Sequence, residues 1–222
     1  MNRVKEIIKD ETSLSDWCLE VDTRKEGKLV QEIILALKDT MRENSLQYLT
    51  APQIGYNKRI FCLRFGDSDY RTFINPAIEN NTGITLSRET CNSIDGKEFI
   101  IPRFGKLKLW FTTPLGKVES AQLIGKAAFV FQHALDHLNG SLVSDIGLEI
   151  DEMFDNATDE EREEVVNMYL ESLDLRMKEL QKEIEQDEDL KQIDDAAKFI
   201  TSVKNGSTVL YNPDNNEETK DQ

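Results

Sequence analysis

The chain has only two histidines, His133 and His137, four residues apart. In a helix that spacing puts both rings on one face, one turn apart, where two imidazoles can share a metal ion. A tetrahedral catalytic site needs a third protein ligand and one open position. Three cysteines are available, Cys18, Cys62 and Cys91. Cys91 sits in the polar segment Glu89-Thr-Cys-Asn-Ser93, and a thiolate suits zinc or ferrous iron. Cys62 lies in an apolar stretch and reads as a small core residue. Cys18, in Asp16-Trp-Cys-Leu19, has no clear partner. Spacing alone does not choose among the three.

Several elements must position these groups. Lys126 to Asn139 reads as a helix closed by Gly140, because glycine past a helix end takes the left-handed conformation that caps the last carbonyls. Ala127, Ala128, Val130, Phe131, Ala134, Leu135 and Leu138 make it apolar nearly all round, so it belongs in a core. Lys28 to Arg42 repeats apolar residues at spacings of three and four and reads as an amphipathic helix. Arg59 to Phe65 reads as a strand, as does Thr72 to Ile78, ended by Asn75-Pro76. Phe99 to Thr113 holds one or two strands, with Lys106 to Leu109 alternating as a half-buried strand should. Pro114 to Lys117 is a turn signal.

The formal charge of −15 is unevenly spread. Residues 1–148 carry 19 acidic and 19 basic side chains, and residues 149–222 carry 23 and 8. A boundary is therefore expected near Gly147 to Asp151, dividing the chain into 1–148, an acidic helical extension over 149–204 and a polar tail over 205–222. In the extension, Thr158 to Glu161 fits a capping box. Val166, Tyr169, Leu170, Leu173, Met177, Leu180 and Ile184 then form an apolar stripe of about seven helical turns, and a shorter helix follows around Leu190 to Ile200. The acidic tail repels phosphate, so direct nucleic-acid binding is not expected. No run approaches the ~18 apolar residues of a membrane span. The charged start lacks the pattern of a secretory signal. Three separated cysteines make no disulfide framework, and a reducing cytoplasm is the expected compartment.

Three segments, in this order, resemble the three signatures of peptide deformylases. Leu46-Gln-Tyr-Leu-Thr-Ala-Pro-Gln53 resembles Gly-x-Gly-x-Ala-Ala-Pro-Gln, Glu89-Thr-Cys-Asn-Ser93 resembles Glu-Gly-Cys-Leu-Ser, and Gln132-His-Ala-Leu-Asp-His137 resembles Gln-His-Glu-x-Asp-His. The resemblance spans roughly residues 14–147. It implies an α+β fold, with antiparallel sheets around a central metal-binding helix, here followed by the acidic helical extension. It implies one divalent ion, Zn2+ or Fe2+, on Cys91, His133 and His137. Gln53 and the backbone N–H of Asn92 would be the oxyanion donors, and Tyr48, Leu49 and Glu89 would meet the substrate. The implied activity is removal of the formyl group from N-terminal formyl-methionyl peptides of new proteins, with the ribosome as a docking partner.

The sequence departs from the pattern at two places. The signature's Glu after the first histidine, the proton carrier, is Ala134 here, and the two glycines of the first signature are Leu46 and Tyr48. General acid–base catalysis supplies about 10²–10⁴-fold, so activity is expected to be weak or abolished. Two origins fit Ala134: natural divergence, which the drift in the first signature favours, and deliberate replacement of the Glu to trap substrate, which the intact ligands and the retained Asp136, Asn139 and Gly140 favour. Two other functions compete: a non-catalytic binder of N-formyl or other N-terminal peptides, and an interaction protein acting through its acidic helices. The apolar stripe of the extension is expected to pack on residues 1–148 or to pair with a second copy in a homodimer.

Overall fold

A computed structural model describes residues 3–66 and 69–186. The expected helix around Leu190 to Ile200 and the tail over 205–222 lie outside the described residues.

The first long helix, α2 (Gly27–Glu43), follows a single turn, α1 (Glu11–Leu14). It buries Val30, Ile33, Ile34, Leu37 and Met41, the face that its three-and-four spacing marks out. The chain then enters an antiparallel sheet of β1 (Tyr48–Thr50), β2 (Ile60–Phe65), β3 (Asp69–Cys91), β4 (Ile94–Thr112) and β5 (Val118–Ile124), paired in that order. A short strand, β6 (Leu148–Ile150), adds to β4. The charge boundary near residue 149 thus falls on a strand of this sheet.

Helix α3 (Lys126–Leu138) packs on one face of the sheet against Phe61, Leu63, Phe73, Phe104, Leu107 and Leu109. Helix α2 packs with Ile60, Cys62 and Ile74. Neighbouring residues of β2 therefore face opposite ways, as the period of two in a strand requires, and this strand is apolar on both faces.

The expectation that a strand ends at Asn75-Pro76 is corrected. β3 runs on to Cys91. Proline has no N–H for the ladder, and the strand absorbs it in an irregularity: the pairing shifts between Ile74 and Ala77, and Asn75 takes φ +47°. Phe99 to Thr113 likewise belongs to one strand, which starts earlier, at Ile94. β3 and β4 form one long hairpin whose tip is Asn92-Ser93, with Cys91 paired to Ile94.

Past the sheet come α4 (Val143–Ile146), β6, α5 (Glu152–Asn156) and α6 (Asp159–Gln186). The capping box at the start of α6 is formed: Glu161 N–H donates to Thr158 Oγ1, and Thr158 N–H donates to Glu161 Oε2 at 2.8 Å. Val166 and Leu170 pack with Ile100, Ile150 and Leu148. The inward face of α6 thus docks on the sheet, while Met168, Leu175 and Leu180 are exposed. No helix among the described residues is long and apolar enough to cross a membrane.

Candidate metal centre

Helix α3 is fixed at three points. Gln132 accepts from Phe104 N–H at 3.0 Å and donates to Phe104 O at 2.9 Å, tying the helix to β4. At the far end Arg59 donates to Leu138 O at 3.1 Å and Asn139 Oδ1 at 3.0 Å, serving the last carbonyls of the helix. Gly140 then turns the chain at φ +68°, and a Cβ there would meet Ser15 O at 2.4 Å. Both the left-handed backbone and this close approach require glycine.

This anchoring points His133 and His137 at the tip of the β3–β4 hairpin. One ligand atom each from Cys91, His133 and His137 lies within 4.8 Å of the others, and all three residues are buried. Cys91 Sγ is 3.3 Å from His137 Nε2. A tetrahedral ion with bonds of about 2.0–2.3 Å holds its ligand atoms about 3.3–3.8 Å apart. Sulfur and two imidazole nitrogens are also a donor set suited to zinc or ferrous iron, so these residues fit a divalent ion. Cys18 and Cys62 stand elsewhere. Both thiols are pushed up to about 11, chiefly by burial, and Cys62 lies 3.4 Å from Thr72 Oγ1.

A buried charge network holds the donors. Arg103 grips Glu89 with two hydrogen bonds, 2.8 and 2.9 Å, and reaches Asp136 at 2.6 Å. Glu89 Oε2 also accepts from His133 Nδ1 at 2.9 Å. That bond fixes the tautomer and turns Nε2 toward Cys91, the outer support expected of a ligating histidine. Burial opposes charge at each of these groups, but the partners outweigh it. Glu89 is held down to about 2 by Arg103 and His133. The Cys91 thiol is lowered to about 5 by the two imidazoles. His133 is raised to about 9 by Cys91 and Glu89.

Other residues singled out from the sequence are placed as follows. Gln53 is buried; its Oε1 accepts from Thr50 N–H and Thr50 Oγ1, and its Nε2 donates to Ser93 Oγ at 3.1 Å. Asn92 is at the hairpin tip, where its carbonyl accepts from Lys9 Nζ at 2.6 Å. Ala134 is fully buried, in the same packed cluster as Tyr48. The side chain of Leu49, one step along β1 from Tyr48, points into the cluster under α2. Glu89 spends both carboxylate oxygens on Arg103 and His133 rather than facing a cleft. Tyr48 does face the donors, with its hydroxyl 2.7 Å from His133 Nε2.

Sequence reasoning missed Arg103 and Lys9. Arg103 was legible only as a charge inside an apolar strand; buried arginine needs carboxylate partners. Lys9 carried no signal, because its contact is made by the fold. Beside the centre lies a cleft of about 570 Å3, lined by Ile7, Lys9, Leu46, Thr90, Cys91 and Asn92, within the size range of small-ligand sites.

Residues 4–151 match the family model described as polypeptide deformylase. A peptide deformylase of Dictyoglomus turgidum is 29% identical over 146 residues, covering 64% of this chain and 95% of that protein. Peptide deformylase 1 of Clostridium perfringens is 35% identical over 118 residues, covering 53% and 78%. Among solved structures, the peptide deformylase of Thermotoga maritima superposes with a TM-score of 0.60 at 28% identity, covering 66% of this chain and 98% of that one. That of Legionella pneumophila gives 0.59 at 25% identity and covers 81% and 98%. Fold, ordered donors and sequence agree, and the chain belongs to the polypeptide deformylase family.

Proposed function

We propose that the protein holds a divalent metal ion through Cys91, His133 and His137 and acts on N-formyl-methionyl peptides, releasing formate with low turnover. The observation that carries this reading is the convergence of the three donors, with Glu89 presetting His133. An ion held there supplies Lewis acidity. The chain's own contribution is orientation. The backbone N–H of Asn92, the residue after Cys91, and the amide of Gln53, which reaches Ser93 Oγ, are its proposed donors to a developing oxyanion. The cleft beside Leu46 and Asn92 is the place for the peptide. Peptide ends, the ribosome and a second copy of the chain through α6 are its proposed partners, and the cytoplasm its proposed location.

Low turnover follows from position 134. Ala134 has no group to take a proton or pass it to the leaving amine, a loss of about 10²–10⁴-fold. The burial of Tyr48 among the donors favours a second reading, in which the protein retains peptide ends without cleaving them.

The test is metal content together with formate release from a formyl-methionyl peptide, on wild type, Ala134→Glu and Ala134→Glu with Tyr48→Gly. Stoichiometric metal with slow release, accelerated in the double variant, is expected. Protein purified anaerobically under reducing conditions without metal would refute the reading. Metal and tight peptide binding without formate in any variant would favour retention.

A further inference from the structure

Residues 5–9 form a strap that the chemistry above leaves unused. Lys5 N–H donates to Thr40 Oγ1 at 2.9 Å, which fastens the strap to α2. Ile7 packs with the cluster under α2, and Ile8 with the cluster of Cys91 and Ile94. The polar contacts beyond them fall on two particular residues. Ile8 N–H donates to Gln53 O at 2.9 Å. Lys9 Nζ donates to Asn92 O at 2.6 Å and pairs with Asp95 Oδ1 at 2.5 Å. Gln53 lies in the short turn after β1, and Asn92 at the tip of the β3–β4 hairpin. They are the two residues proposed to receive the oxyanion. Gln53 Nε2 also reaches the tip, donating to Ser93 Oγ at 3.1 Å. Strap, turn and tip thus close a ring of hydrogen bonds: Ile8 to Gln53, Gln53 to Ser93, and Asn92 back to Lys9.

We propose that Lys9 is a positioning residue for the oxyanion donors: its ammonium holds the Asn92 carbonyl and so fixes the hairpin tip, with the Asn92 N–H, relative to Gln53. The inference rests on the proposed function, in which Asn92 and Gln53 are those donors. A hydrogen bond from a charged donor is stronger than one between neutral groups, and restraining a residue's carbonyl restrains the backbone that carries its N–H. Oxyanion donors work because they are aimed before the charge develops, and a displacement of about 1 Å costs up to about 10²-fold. Lys9 acts through Asn92, so its removal should lower turnover while peptide affinity stays as it was.

Full-length, metal-loaded wild type, Lys9→Met, Lys9→Arg and Lys5→Met are compared in formate release from a formyl-methionyl peptide, with kcat and KM separated. Lys5 is on the same strap, with its ammonium over the Tyr56 ring at 5.8 Å, so Lys5→Met removes an equal charge and leaves Asn92 held. The expected result is a kcat lower by about tenfold in Lys9→Met at unchanged KM, recovery in Lys9→Arg, whose guanidinium still donates to a carbonyl, and no change in Lys5→Met. Hydrogen exchange of the Asn92 amide, measured on the metal-free proteins, should be faster in Lys9→Met than in wild type. Equal kcat and equal Asn92 exchange in Lys9→Met and wild type would overturn the positioning role and leave the proposed function standing. A raised KM at unchanged kcat would also overturn it, making Lys9 a direct peptide contact. Absence of formate from metal-loaded wild type would overturn the proposed function and the positioning role with it.

Discussion

Helices α3 and α6 are built from opposite compositions and do opposite work. In its 13 residues α3 buries Ala128, Phe131, Gln132, His133, Ala134, His137 and Leu138. Over 28 residues α6 fully buries Val166, half-buries Tyr169, Leu170, Leu173 and Met177, and leaves Met168, Leu175 and Leu180 to solvent. Its length is sustained by its cap and by one docked stripe. Where a helix is surrounded by protein, its few polar groups can be aimed; where one face is wet, they are only solvated. The contrast explains why the donors sit on α3.

The comparison can be broken most directly at the donors. His137→Ala should abolish stoichiometric metal binding, measured by elemental analysis after desalting. The loss should exceed the roughly 10–100-fold that follows removal of a supporting residue. Undiminished metal would move the site away from α3 altogether.

Next in size is Arg103→Met. It strands Glu89 as a buried carboxylate beside His133, and breaking a buried pair this way costs about 3–5 kcal/mol. Urea unfolding of the metal-free proteins measures it; a loss below about 1 kcal/mol would show that Glu89 is hydrated in place.

A matched pair of truncations then sets the two helices side by side. Phe131→Ala removes a fully buried ring that packs edge-on against Phe61 and Phe73, at centroid distances of 5.2 and 5.4 Å. It should cost about 3–5 kcal/mol. Leu170→Ala on α6 should cost clearly less, since its side chain is only partly withdrawn from water. Equal costs in thermal unfolding would erase the distinction between a core helix and a docked one.

The smallest effect belongs to Tyr169, which donates to Ile146 O at 2.6 Å. Tyr169→Phe should cost about 1 kcal/mol. Burial raises its phenol to about 12 in the folded protein, from an ordinary value of 10.0. A raised value means that the folded state holds the proton more tightly. This contribution is therefore complete below pH 10 and is lost as pH rises through about 12. Wild type and Tyr169→Phe should converge in stability across that window; a constant gap would show that the bond does not anchor α6.

Much of this arrangement was legible before the fold was seen. The three-and-four spacings marked α2 and the inner face of α6, an all-round apolar run closed by Gly140 marked α3, and Thr158 and Glu161 marked a helix start. The two histidines announced a possible metal site, and the ordered signatures singled out Cys91. Strand continuity was not legible. Pro76 reads locally as a stop, and only the partner strand shows that β3 skips a register and continues. The support of His133 was hidden for a similar reason: Glu89, Arg103 and Asp136 are separated along the chain, and tertiary pairing alone unites them. The direction of the Leu49 side chain was not legible either, because a resemblance locates a segment, while the strand's alternation decides which of its side chains face which way.

The spacing of the donors along the chain has a consequence for synthesis. Cys91 ends β3, and His133 and His137 lie more than forty residues later, on α3. The wall beside them is made by Lys9, which reaches Asn92 across 83 positions. Contacts this distant close slowly and late. On a ribosome the cysteine emerges well before either imidazole, so a nascent chain carries Cys91 as an ordinary thiol, without the partners that lower it, until α3 has been made. Metal uptake is thereby tied to completion of the fold, and a product truncated ahead of residue 133 has no route to a loaded site.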